Sequence, residues 1–338
     1  MAQSSSIEWT DATWSPTRGC TKIAAGCRNC YAETFAERWR GIKGHPYEQG
    51  FDPRTAPDKL TEPLKWKKPR RIFVDSMSDL FHEAFAFEYI AAVFGIMAAC
   101  ADREMGHTFQ VLTKRPERAI EFFNWLSMPT DKDGNADDLH RKNVLHESVK
   151  FALGYDHPDR PAVNVLRGWP LPNVWMGTSI STQADADKNV AVLLKIPAAV
   201  RFVSAEPLLG PIDFFCNDDV RGGSKSNVLQ LADISDGAPS HDRAIHWVIA
   251  GGESGPGARP CDVEWIRSIV RQCKAAGVPC FVKQLGRFPQ HDLGDGHGDN
   301  RIRPLTKAVT GRSLNDRKGG DPSEWPADLR VREWPEVS

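Results

Sequence analysis

RIFVDSMSDLFHEAFAFEYIAAVFGIMAAC, residues 71–100, holds the unit from which the fold is read. Residues 71–75 are a continuous apolar run bounded by charge, the signature of a strand buried on both faces. A polar loop follows, DSMSDLFHE at 75–83, and then 87–100, apolar nearly all round, reads as a buried helix. The same strand–loop–helix order returns downstream. Residues 108–113 (TFQVLT) form a strand, 114–116 (KRP) its exit loop, and 117–126 a helix with proline near its start. Strands are expected again at 174–180, 200–206, 246–250 and 279–284, with helices at 184–194 and 263–276. Upstream, 9–14 (WTDATW) alternates apolar with polar as a short strand does, 32–39 has helical spacing, and 61–66 suits a short helix.

Recurring strand–loop–helix units imply parallel strands joined by right-handed crossovers. An open doubly wound sheet and a (β/α) barrel both satisfy that rule. The strand ends favour the barrel, because nearly all carry polar residues: Asp75, Ser76, Thr113, Lys114, Arg115, Ser179, Glu206, Glu253, Lys283 and Gln284. In a barrel such ends converge on the one mouth where active sites lie. No GxGxxG or GxxxxGK[ST] follows a strand, which speaks against a nucleotide-binding sheet. The expectation is an α/β fold, a partial or full TIM-type barrel with insertions. It assigns residues 1–286 to one domain, with insertions near 127–170 and 217–243, and 287–338 to an irregular tail packing on the barrel. The charged 127–170 segment is expected to be partly helical or mobile.

The densest chemistry lies at 19–31, GCTKIAAGCRNCY, where Cys20, Cys27 and Cys30 stand as C-x6-C-x2-C. Three thiolates on a short loop can hold one metal, or three irons of a four-iron cluster, and leave a position open. A structural zinc loop completed by a later ligand is the other reading, with Cys261 as the plausible fourth ligand. Of the remaining cysteines, Cys273 and Cys280 read as small buried hydrophobes, and Cys100 and Cys216 as structural. Trp9, Trp14, Trp325 and Trp334 read as packing residues.

Acidic (44) and basic (43) residues nearly balance, so net charge gives no argument for nucleic acid, although a local patch remains open. The 41% apolar fraction is enough for a globular core. The start, MAQSSSIEW, lacks the basic and apolar regions of a signal peptide, and residues 89–101 are too short an apolar run to span a bilayer of ~20 helical residues. A cytoplasmic protein with reduced thiols and no membrane association is expected. His82 and Glu83 sit in a loop, as a functional pair or a solvated one. Lys114, Arg115 and Lys283 either bring positive charge to the strand ends or pair with Glu206 and Glu253.

These blocks resemble a phage-associated family of radical S-adenosylmethionine-like proteins, named after two phage gene products and classed as a domain of unknown function. The resemblance is carried by WSP at 14–16, GC at 19–20, GCRNCYAE at 26–33, DSMSDLFH at 75–82, LTKRP at 112–116, SAEPLLG at 204–210, GGESG at 251–255, FVKQ at 281–284 and RKGGD at 317–321. It implies a barrel of the radical S-adenosylmethionine kind in which Cys20, Cys27 and Cys30 ligate a [4Fe–4S] cluster and the fourth iron takes S-adenosylmethionine. Asp75 and Ser76 would then meet the methionyl amine, Ser179 the ribose, and Glu206 a ribose hydroxyl or ammonium group. Glu253 follows two glycines, which either let its backbone approach a ligand closely or form a tight strand-to-loop turn. The implied activity is generation of a 5′-deoxyadenosyl radical, with a nucleotide or nucleic acid as substrate class, an electron donor, and room for a protein partner. No catalytic residue beyond these is assigned. The alternatives are a metal-dependent hydrolase or nuclease using Asp75, His82, Glu206 and Glu253 beside a structural zinc–cysteine loop, and a non-catalytic metal-binding partner protein.

Overall fold

The seven expected strands form one sheet: β1 (Ala12–Trp14), β2 (Arg71–Val74), β3 (Thr108–Thr113), β4 (Val174–Ile180), β5 (Val200–Ala205), β6 (Trp247–Gly251) and β7 (Cys280–Gln284). Their order in the sheet is their order in the chain. The pairs β1–β2, β2–β3, β5–β6 and β6–β7 are parallel. The computed structural model describes residues 5–127, 138–154, 156–163, 169–218, 224–229, 244–292, 302–304 and 314–336. The helices are α1 (Tyr31–Ala36), α2 (Phe87–Asp102), α3 (Pro116–Leu126), α4 (Asp138–Leu153), α5 (Gln183–Leu193) and α6 (Val263–Ala276). This is an α/β fold with a parallel seven-stranded sheet among the described residues, one strand short of the eight of a complete TIM barrel. No described helix is long and apolar enough to cross a membrane.

The chain divides into two compact units, with the boundary inside β4. The first comprises residues 1–23, 31–177 and 195–200. Here Ile72 pairs Ala12 on one side and Phe109 on the other, so β2 is interior and reads as an unbroken apolar run. Helix α2 is buried from Tyr89 to Cys100, which an ordinary amphipathic surface helix would not be. The reason is α4, which comes from the 127–170 segment and packs along it. Gly95 marks the closest approach: a Cβ there would stand 2.6 Å from Val149 Cγ2 and 3.0 Å from the Leu145 carbonyl oxygen. The insertion is thus partly helical, and its helix covers the outer face of α2. Its residues 128–137, 155 and 164–168 lie outside the described residues, as do 219–223 and 230–243 of the second insertion.

The second unit comprises residues 24–30, 178–194 and 201–338. Helix α5 starts in a capping box: the Thr182 hydroxyl accepts from the Asp185 amide, and the Asp185 carboxylate accepts from the Thr182 amide. Helix α6 is capped by Asp262 and ends at Gly277, whose φ of 70° is the left-handed turn that closes helices. The β6–β7 register shifts between Ala250 and Gly251, so that Gly251 stands opposite Gln284. In the described tail, Trp325 and Leu329 are buried, Trp247 Nε1 donates to the Glu333 carbonyl, and Trp334 packs edge-on against Phe281. Trp9 and Trp14 are buried too, so all four terminal tryptophans pack as expected.

Candidate functional site

The expected site residues fall into both units, and each group has its own geometry. In the first unit the entry to the cysteine loop is pinned by backbone bonds. The Gly19 amide donates to the Met77 carbonyl at 3.2 Å, and the Cys20 amide donates to Phe51 O at 3.0 Å. Gly19 has φ 77°, and a Cβ there would stand 2.3 Å from the Asp52 carbonyl oxygen, so only glycine fits.

Arg115, at the exit of β3, organises this neighbourhood. Its guanidinium donates to Cys20 Sγ at 3.3 Å, Asp79 Oδ2 at 3.2 Å, Glu83 Oε1 at 3.0 Å and Thr21 Oγ1 at 2.9 Å. Asp79 accepts in addition from Thr113 Oγ1 at 2.7 Å and the Lys114 amide at 3.0 Å. Burial pushes the Cys20 thiol up to about 11, with Asp79 adding to the rise and Arg115 opposing it. A cation donating to sulfur is the arrangement that steadies a thiolate once a metal displaces the proton. His82 is buried rather than solvated. Its Nδ1 accepts from the Ala84 amide, so in the neutral ring the proton sits on Nε2, 2.9 Å from Thr21 Oγ1. Burial and the Arg115 charge hold its pKa below the ordinary value.

Asp75 and Ser76 lie at the end of β2. The Ser76 carbonyl accepts from the Tyr31 hydroxyl. Asp75 is 2% exposed, and its carboxyl faces Thr17, with 3.0 Å from the Thr17 amide to Oδ1 and 2.8 Å between Thr17 Oγ1 and Oδ2.

In the second unit, Cys27 ends a single turn of 3-10 helix, Ala25–Cys27. A Cβ on Gly26 would fall 2.2 Å from Ser181 Oγ, so the turn sits hard against the exit of β4. Asn29 donates from Nδ2 to Glu253 Oε2 at 3.0 Å and to the Gly257 carbonyl at 2.7 Å. Glu253 also accepts three bonds from Arg259: from its amide (2.8 Å), Nε (2.9 Å) and Nη2 (2.6 Å). A further guanidinium nitrogen of Arg259 reaches the Ala25 carbonyl at 2.9 Å. Burial works against ionisation of Glu253, but the Arg259 and Asn29 bonds outweigh it and hold the carboxyl below its usual range. Glu206 accepts from Lys283 Nζ at 2.8 Å and Gln284 Nε2 at 3.1 Å, and its carbonyl accepts from Ser179 Oγ at 3.2 Å. The expected Lys283–Glu206 pairing is present. Arg115 pairs instead with Asp79 and Glu83, because adjacent parallel strands release their loops at the same sheet edge and β2 is the neighbour of β3.

The cysteines separate by burial. None of these seven cysteines is in a disulfide; Cys20, Cys27 and Cys30 are of intermediate exposure, whereas Cys100, Cys261, Cys273 and Cys280 are buried. The Cys216 side chain lies outside the described residues. Burial pushes Cys261 up to about 12, and Gly252 packs against it, a Cβ there lying 2.9 Å from that of Cys261. These surroundings suit a small hydrophobe better than a zinc ligand. Among the described residues no three His, Cys, Asp or Glu side chains are grouped as they stand to hold a metal ion. Metal binding by the loop is therefore argued from its donor chemistry and spacing, not from a preformed group. The sequence reading missed Asn29, Asp79 and Arg259. Asn29 stands between two loop cysteines, and Arg259 closes the glycine-rich segment begun by Glu253, so both had positional signals.

An α/β chain with a cysteine loop and buffered carboxylates at its strand ends is the class that fold and residues define. Its family is given by direct match: the chain belongs to the family described as protein of unknown function DUF5131, whose profile matches residues 4–321. Searches of curated proteins and of solved structures each returned no match.

Proposed function

We propose that this chain is an iron–sulfur enzyme of the radical S-adenosylmethionine type, built on a partial (β/α) barrel, in which Cys20, Cys27 and Cys30 hold a [4Fe–4S] cluster. The observation that carries the reading is the contrast in burial among the thiols: three within eleven residues are of intermediate exposure, and the four other described ones are buried. The donor set suits the group, since three thiolates bind three irons and leave one for another ligand. When bound, the reduced cluster with S-adenosylmethionine supplies a 5′-deoxyadenosyl radical.

The chain's own residues hold and orient. Arg115 stabilises the Cys20 thiolate. Asn29 ties the Cys27–Cys30 turn to Glu253, while Arg259 fixes Glu253 and the Ala25 carbonyl together. Ser76, Ser179 and Glu206 are the polar strand-end groups assigned to the S-adenosylmethionine, with Asp75 supporting the loop from behind and Glu253 from beside Cys30. An anionic substrate, nucleotide or nucleic acid, and an external electron donor complete the proposal. The hydrolase alternative has less support, because Glu206 and Glu253 are already engaged by Lys283 and Arg259.

The test is iron, sulfide and zinc content with a visible spectrum on anaerobically purified protein, wild type against Cys20/Cys27/Cys30→Ala. About four irons per chain and a brown chromophore lost in the variant are expected. One tight zinc without a chromophore would overturn the proposal. Salt-dependent binding to DNA or RNA tests the substrate class separately.

A further inference from the structure

Behind the entry to the cysteine loop, in the first unit, three short contacts join four groups in a line. Asp75 Oδ2 lies 2.8 Å from Thr17 Oγ1, Thr17 Oγ1 lies 2.8 Å from Ser78 Oγ, and Ser78 Oγ lies 2.7 Å from the Gly19 carbonyl oxygen. Each contact needs one proton between its two oxygens, because oxygens at such distances without one repel. The carbonyl brings none, and each hydroxyl brings one. Ser78 must therefore donate to Gly19, which leaves Thr17 to donate to Ser78. The Asp75–Thr17 contact then lacks a proton unless Asp75 supplies it.

We infer that Asp75 is a neutral carboxylic acid that donates to Thr17 and so closes a directed chain, Asp75 to Thr17 to Ser78 to the Gly19 carbonyl, which positions the backbone leading into Cys20. The rest of the geometry agrees. The other carboxyl oxygen, Oδ1, accepts from the Thr17 amide at 3.0 Å, as the carbonyl oxygen of an acid does. Among the described residues no cationic side chain bonds to this carboxyl, although it is 2% exposed. A buried carboxylate without a cation would be costly, and neutralisation is the usual outcome. Asp75 also holds φ 59°, a left-handed conformation that aspartate and asparagine tolerate better than most residues.

The titratable groups around it do not offset a negative charge. Asp79 faces it with its own carboxyl, and Tyr47 and Tyr89 are each pushed up by burial and by Asp75. Arg18 is the nearby cation, and its guanidinium is spent on the Pro46 carbonyl and on the face of Tyr47. Burial pushes the Asp75 carboxyl up to about 8, with the Thr17 bonds opposing and Asp79 adding. Loss of the proton would leave two hydroxyl protons for three contacts, so one link must open and the hold on Gly19 weakens.

The inference is independent of any metal and can be tested on the full chain as purified. Infrared spectra in H2O and D2O, wild type against Asp75→Asn, should show a protonated carboxylic-acid carbonyl band in the wild type at neutral pH. That band should shift in D2O, be absent from the variant, and fade as pH rises through about 8. Asparagine carries N–H where the acid carries O–H and has no unfolded-state ionisation to lose, so Asp75→Asn should keep the chain and melt at neutral pH no lower than wild type. Amide exchange at Cys20 should rise beyond the normal base-catalysed trend above that pH in wild type but not in the variant. No such band at neutral pH, or an Asp75→Asn variant that melts far lower or fails to fold, would overturn the assignment.

Discussion

Asp75 and Glu253 are both carboxyls at strand ends, 2% and 6% exposed, and although burial alone would make both neutral they differ in charge. Glu253 meets an arginine fork, a backbone amide and an asparagine amide, and is held ionised. Asp75 meets one amide and a hydroxyl whose proton is committed elsewhere, and is held neutral. Burial penalises the charged form at both places, and the number of protons the partners can donate decides which form survives. Four perturbations separate the two cases.

The largest effect is expected from Arg259→Ala, which strands Glu253 as a buried carboxylate. Breaking such a pair from one side costs on the order of 3 kcal/mol, reduced here because Arg259 is 23% exposed. Urea denaturation at neutral pH measures it. The cost should shrink at acid pH, where Glu253 can take up a proton. An undiminished cost there would mean that the arginine acts through packing and the Ala25 bond alone.

Thr17→Val is next, at about 2 kcal/mol, because it leaves the acid proton of Asp75 without its acceptor and the Ser78 oxygen without its donor. Once Asp75 ionises, the Thr17 hydroxyl can turn to the carboxylate in a charge-assisted bond stronger than the one it accepts from the neutral acid, and valine removes both, so the Asp75 pKa should rise further. The infrared band would then persist to higher pH than in wild type.

The third comparison is the pH dependence of stability, with opposite signs at the two carboxyls. Glu253 has a folded pKa below its unfolded one, so its contribution is present above the ordinary glutamate value and is lost as pH falls through the lower folded value. Asp75 has a folded pKa raised from 3.8 to about 8, so its contribution is greatest below the unfolded value and falls as pH climbs to about 8. Glu253→Gln should flatten the acid limb of the stability profile and Asp75→Asn the limb from weakly acid to neutral pH. Each change approaches, at most, on the order of 1 kcal/mol per pH unit. Matching slopes in the two variants would break the comparison.

Much of the framework was readable before any coordinates. Strands buried on both faces leave unbroken apolar runs, which is why 71–75, 174–180 and 200–206 were legible almost to the residue. Helix α2 read as buried for the same reason, although only α4 explains what buries it. The chemistry of the loop was legible as composition, three cysteines in a short span. The groups that decide charge were not, because pairing depends on which loops share a sheet edge. Thr17 and Asp75 are 58 residues apart, and Thr17 sits on no periodic face. For Arg115 the sequence offers either charge at the strand ends or pairing with Glu206 and Glu253, yet its partners come from the loop of the neighbouring strand, an adjacency that hydrophobic pattern does not encode. Glu253 and Arg259 are only six residues apart, but in a glycine-rich turn without a repeat there is no spacing rule to join them.

Ser78→Ala should have the smallest effect on stability and the most discriminating one on charge. The variant removes one hydroxyl and its single proton, and with it the Thr17–Ser78 and Ser78–Gly19 contacts. Two contacts vanish with one proton, so the remaining count changes: Thr17 now has its own proton free to donate to Asp75 Oδ2. A carboxylate at Asp75 would then accept from both the Thr17 hydroxyl and the Thr17 amide, and bonds to the charged form lower a pKa. The lost bond to the Gly19 carbonyl costs about 1 kcal/mol. The Asp75 band should therefore titrate at lower pH than in wild type, the reverse of Thr17→Val, although both substitutions delete a hydroxyl from the same line. If both moved the titration in one direction, the order of donors from Asp75 to Gly19 would be wrong, and Thr17 would be donating to a carboxylate as it already stands.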